Sequence, residues 1–74
     1  MKINNIQLTS AQARIMAYIL ELQIASEEEL LVLTNTAIKD IRKVAVNLMR
    51  HKFIAQTGSK EKGYTYINIT GLEL

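Results

Sequence analysis

Residues 26–54, SEEELLVLTNTAIKDIRKVAVNLMRHKFI, read as a short helix, a tight turn and a longer basic helix. Residues 54–70, IAQTGSKEKGYTYINIT, read as a β-hairpin with two lysines in its loop. This order of parts limits the possible folds. A short helix is marginal alone in water, and so is a two-stranded hairpin. Both must therefore be buried against the same core. We expect one α+β domain over residues 1–74, with three helices followed by a two-stranded hairpin.

Local signals support each element. Thr9-Ser10-Ala11-Gln12 and Ser26-Glu27-Glu28-Glu29 both match the capping box, in which cap hydroxyl and third-residue side chain satisfy free amides reciprocally. The first box opens a helix whose Ile15, Met16, Ile19, Leu20 and Leu22 fill one wide face. The second opens a short helix ending near Thr34-Asn35-Thr36, where Asn tolerates a left-handed backbone and Thr36 can cap the next helix. Its three glutamates read as a solvated complement to the helix dipole. The third helix runs from about Ala37 to His51. Ile38, Ile41, Val44, Ala45 and Leu48 share one face, and Lys39, Lys43 and Arg50 share another.

The strands are Phe53–Thr57 and Tyr64–Ile69, joined by Gly58–Gly63. Tyr64 and Tyr66 fall on one strand face and are expected to cover the outer side of the hairpin. Ile6 and Leu8 alternate with Gln7, so the N-terminal arm is the candidate for a short third strand.

Charge divides unevenly. Residues 1–34 hold two cations and four anions, whereas residues 35–74 hold seven cations and three anions. The basic half contains both the long helix and the hairpin, as a phosphate-facing surface requires. The chain has no cysteine, and no apolar run is long enough to cross a bilayer. With polar residues soon after Met1 in place of a secretory signal, we expect a cytoplasmic protein. At 49% hydrophobic, so short a chain is expected to keep some apolar side chains for a second copy, hence a homodimer.

The chain resembles winged helix-turn-helix transcription regulators, and among them a stripped-down multiple-antibiotic-resistance-regulator type. The similar passages are Leu8-Thr9 with Gln12-Ala13-Arg14-Ile15, then Leu48-Met49-Arg50-His51-Lys52-Phe53-Ile54, and Ile69-Thr70 near Gly71. Two positions depart from the pattern. Lys52 stands where a glycine usually ends the helix, and Ala45 where a larger apolar residue is usual. The long terminal helices that larger members use to dimerise are absent, so pairing would use another surface and no effector ligand is expected between such helices.

The resemblance implies sequence-specific binding of double-stranded DNA by a small transcription regulator, of the kind carried by a phage or plasmid. The third helix would enter the major groove. Thr36, Ala37, Lys39, Asp40 and Lys43 would face base edges, with Asp40 orienting Lys43 or Arg42 in preference to accepting from a cytosine amino group. Arg42, Asn47 and Arg50 would hold phosphates, and Lys60 and Lys62 the flanking backbone or minor groove.

The rival expectation is a protein-interaction module of the same fold, using Val32, Val46, Met49, Leu72 and Leu74 as an apolar patch. An enzyme is not expected. His51 is the lone histidine, and there is no cysteine nucleophile, phosphate-cradling glycine loop or spaced ligand set. No cofactor, metal, membrane or small-molecule substrate is expected either.

Overall fold

The computed structural model describes residues 1–73. Among them are three helices and five short strands: β1 (Lys2–Ile3), β2 (Ile6–Gln7), α1 (Ser10–Leu22), β3 (Ile24–Ser26), α2 (Glu27–Thr34), α3 (Ile38–Arg50), β4 (Ile54–Ser59) and β5 (Gly63–Asn68). The fold is α+β, with a small antiparallel sheet packed on the helices.

Both capping boxes form as expected. At α1, the Thr9 amide donates to Gln12 Oε1 at 2.9 Å and the Gln12 amide to Thr9 Oγ1 at 3.2 Å. At α2, Ser26 and Glu29 make the same exchange at 2.9 and 3.1 Å. Asn35 takes the left-handed conformation at the end of α2, with φ 52°. Thr36 does not cap α3. The cap residue is Ala37, without a side-chain hydrogen bond, and the Thr36 hydroxyl donates backward to the Thr34 carbonyl at 3.3 Å.

The third strand is not the N-terminal arm. That arm closes on itself as the hairpin β1–β2, with Asn4 and Asn5 both at positive φ in a two-residue turn. The strand that joins the main sheet is β3, just before α2, and the sheet order is β3–β5–β4. Three extended residues between two helices show too little alternation to announce a strand. Pairing with β5, Ala25 opposite Tyr66, makes them one.

The core draws on every layer. Ile15, Met16, Ile19 and Leu20 of α1, Leu30 of α2, and Ile41, Ala45 and Leu48 of α3 are buried together with Phe53, Ile54 and Tyr66. Leu22 departs from the expected apolar face of α1 and is exposed. Tyr66 does not cover the outer side of the hairpin. It is fully buried, and Tyr64 on the same strand face is half-buried against the core.

Lys52 ends α3 in the left-handed conformation, φ 62°, despite its side chain. The Lys52 amide donates to Met49 at 2.9 Å and the Phe53 amide to Leu48 at 3.0 Å. This paired exchange is the Schellman motif, with lysine in the place glycine usually takes. Buried Leu48 and Phe53 supply its accompanying apolar contact. Chain direction thus reverses sharply from α3 into β4.

Candidate nucleic-acid interface

The exposed face of α3 carries Lys39, Asp40, Lys43 and Arg50, with half-buried Asn47 between the last two. The spacing of 39, 43, 47 and 50 places these residues along one stripe, opposite buried Ile41, Ala45 and Leu48. Thr36 is half-buried and Ala37 exposed just before the helix. Asp40 makes no ion pair with Lys43 or Arg42. The one ion pair among the described residues joins Arg42 to Glu27. With no cation to orient, Asp40 sits as an acid in the first turn, complementing the helix dipole.

The hairpin loop is shorter than the glycine positions suggest. β4 extends to Ser59 and β5 starts at Gly63, leaving Lys60, Glu61 and Lys62 as the exposed turn. The Lys62 amide donates to Ser59 Oγ at 3.1 Å, which stiffens the turn. Gly58 has φ +101°, and a Cβ there would lie 2.3 Å from the Gly63 carbonyl oxygen. Only glycine lets the two strands close at that point.

Arg42 differs most from expectation. Instead of standing free for a phosphate, its guanidinium forks onto Glu27, with Nε 2.6 Å from Oε2 and Nη2 3.0 Å from Oε1. Nη2 also donates to the Lys60 carbonyl at 3.0 Å, and the guanidinium lies 4.9 Å from the centre of the Tyr64 ring. α3 and the hairpin loop are thereby joined. The residues around this junction include Ile38, Arg42, Lys60, Lys62 and Tyr64.

Glu27, expected to be solvated with Glu28 and Glu29, is instead buried and proves central. It is 3% exposed at the first position of α2. Its carboxylate accepts from Arg42, from the Tyr64 amide at 2.9 Å and from the Tyr66 hydroxyl at 3.3 Å. Its hydrogen bond from Arg42 is the main cause that lowers the carboxyl pKa, opposed by burial and assisted by the Tyr64 amide. The same pairing raises Arg42, while burial and the neighbouring carboxylate push the Tyr66 phenol well above its ordinary range. A signal for Glu27 existed in the alternation of Tyr64 and Tyr66. A tyrosine buried as deeply as Tyr66 needs a polar partner for its hydroxyl.

Exposed apolar side chains lie mainly elsewhere. Leu22, Val32 and Leu33 flank a shallow apolar hollow beside Glu28 and Glu29, and Val32 is 76% exposed. Val46 and Leu72 are also exposed, whereas Met49 packs against the core. Leu74 lies outside the described residues. Among the described residues, no cluster of His, Cys, Asp or Glu could hold a metal ion, and no helix is long and apolar enough to cross a membrane.

The geometry thus defines a class: a three-helix α+β domain that presents a cationic helix beside a lysine-bearing hairpin. No family model matches the chain, and comparisons with curated proteins and with solved structures return no match.

Proposed function

We propose that the chain is a winged helix-turn-helix of the multiple-antibiotic-resistance-regulator kind that binds double-stranded DNA as a small transcription regulator. In this reading α2, the turn at Asn35 and α3 form the helix-turn-helix, and β4–β5 is the wing. The observation that carries it is the pairing of two exposed cation groups, Lys39, Lys43 and Arg50 on α3 and Lys60 and Lys62 on the loop that Arg42 joins to that helix. Lys39 and Lys43 read base edges with Thr36 and Ala37, Asn47 and Arg50 hold phosphates, and the wing holds the flanking backbone or minor groove.

Groove-reading modules commonly pair on two half-sites. The apolar hollow at Leu22, Val32 and Leu33 lies off the cationic stripe and leaves α3 free when two copies meet. The same hollow favours the second reading, a protein-interaction module that reads no DNA.

Random-site selection with the purified protein at physiological salt, with mass measured in solution, separates the two. Enrichment of a palindromic site by a dimer supports the regulator. Failure to enrich any sequence removes it in favour of the interaction module.

A further inference from the structure

The hydrogen bond between α3 and the hairpin loop is made by the side chain of Arg42. Arg42 reaches Glu27 with Nε and Nη2 and reaches the Lys60 carbonyl with Nη2. Glu27 in turn holds the root of the hairpin through the Tyr64 amide and the Tyr66 hydroxyl. Four donors from two elements therefore converge on a carboxylate supplied by a third. With Glu27 buried and Arg42 half-buried, the ion pair is a poor source of net stability, because desolvation offsets attraction. What it supplies is direction, since a two-point guanidinium–carboxylate contact fixes an angle as well as a distance.

We propose that Glu27 and Arg42 form a latch that sets the angle between the wing and α3, so that Lys60 and Lys62 meet a duplex at the same time as Lys39 and Lys43. The proposal rests on the DNA-binding reading above. Both residues are positioning residues and neither touches DNA. Arg42 thereby leaves the set of phosphate contacts, and its cation is spent inside the protein.

A salt titration with a mixed-sequence duplex of about 20 base pairs tests this, because each lost phosphate contact lowers the slope of log affinity against log salt by about 1. The double variant Lys60→Ala/Lys62→Ala should lower the slope by about 2. Glu27→Gln should reproduce that fall although it removes no cation, and should add nothing when combined with the double variant. Arg42→Lys keeps the charge but cannot make the planar two-point fork onto Glu27, and it should behave like Glu27→Gln. If Arg42 instead held a phosphate, the lysine variant would keep the wild-type slope. That result overturns the latch, as does an equal further loss of affinity when Glu27→Gln is placed in the lysine-free background.

Amide hydrogen exchange on the free full-length protein supplies an arm without DNA. In both variants the amides of Tyr64 and the loop should exchange about tenfold faster or more, while that of Leu48 keeps its protection. Unchanged exchange at the loop overturns the latch even if DNA binding falls. A wild-type chain that binds no duplex overturns the DNA reading and the duplex half of this proposal. Faster loop exchange in that case upholds the latch as the device that orders the hairpin.

Discussion

The guanidinium of Arg14, on α1, donates to the carbonyl of Thr34, the last residue of α2, at 2.7 Å. The final carbonyls of a helix have no partner within it, and the helix dipole favours a cation there. The Thr36 hydroxyl donates to the same oxygen at 3.3 Å. The two donors hold the turn that aims α3. A residue twenty positions earlier in the chain thus helps to fix the turn between α2 and α3.

Arg14→Ala should destabilise the fold by about 1 kcal/mol, the worth of a charge-assisted hydrogen bond that is partly open to water. Urea unfolding checks this. An unchanged midpoint would mean that water replaces the guanidinium at no cost.

Glu27 gives stability a pH dependence of definite sign. Its folded pKa lies below the ordinary 4.5, so its contribution is present above that value and is lost as pH falls through the lowered one. The wild type should therefore exceed Glu27→Gln in thermal stability near pH 7, and the gap should narrow as pH falls below the ordinary 4.5. A gap that stays constant as pH falls well below 4.5 would rule out the ionised pair.

Two backbone positions should respond in opposite directions. Gly58→Ala forces a side chain onto φ +101° and into the Gly63 carbonyl, and should cost about 1–3 kcal/mol. Lys52→Gly relieves a left-handed residue at φ 62°, and should gain roughly 0.5 kcal/mol after glycine's entropy is subtracted. Calorimetry on both variants reads the difference directly. A loss at Lys52→Gly would show that the lysine side chain contributes packing.

On DNA, Lys43→Ala should weaken a selected site more than unrelated sequence, whereas Lys60→Ala should weaken all sequences about equally. The difference follows from the proposed roles, base contacts by the helix and phosphate contacts by the wing. Gel-shift titrations that show neither pattern would remove the assignment of roles.

The parts of the fold that were legible in the sequence are those governed by neighbours in the chain. Thr9 with Gln12 and Ser26 with Glu29 lie three residues apart, so their capping exchange is written locally. The left-handed turn at Asn35 and the apolar spacing of α3 are local in the same sense. β3 became a strand only because β5 arrived beside it, and Glu27 became a buried hub only because Arg42, Tyr64 and Tyr66 met it across the fold. Three successive glutamates look alike in sequence, yet the helix turns just one of them inward. At the candidate site the exposed lysines were legible, since exposure of a cation is the default. Arg42 was not, because its partner is fifteen residues away in the chain.

The sheet order leaves β4 as an open edge, and Ile54 to Ser59 contains no charged residue and no proline. Such an edge is a template for pairing with another chain unless charge guards it. The nearest guard beyond its end is the turn that carries Lys60 and Lys62. These lysines are therefore placed to act as gatekeepers against edge-to-edge aggregation. Light scattering of Lys60→Ala/Lys62→Ala at rising concentration should show earlier association than the wild type. The surface proposed to meet nucleic acid would then also be what keeps the protein dispersed.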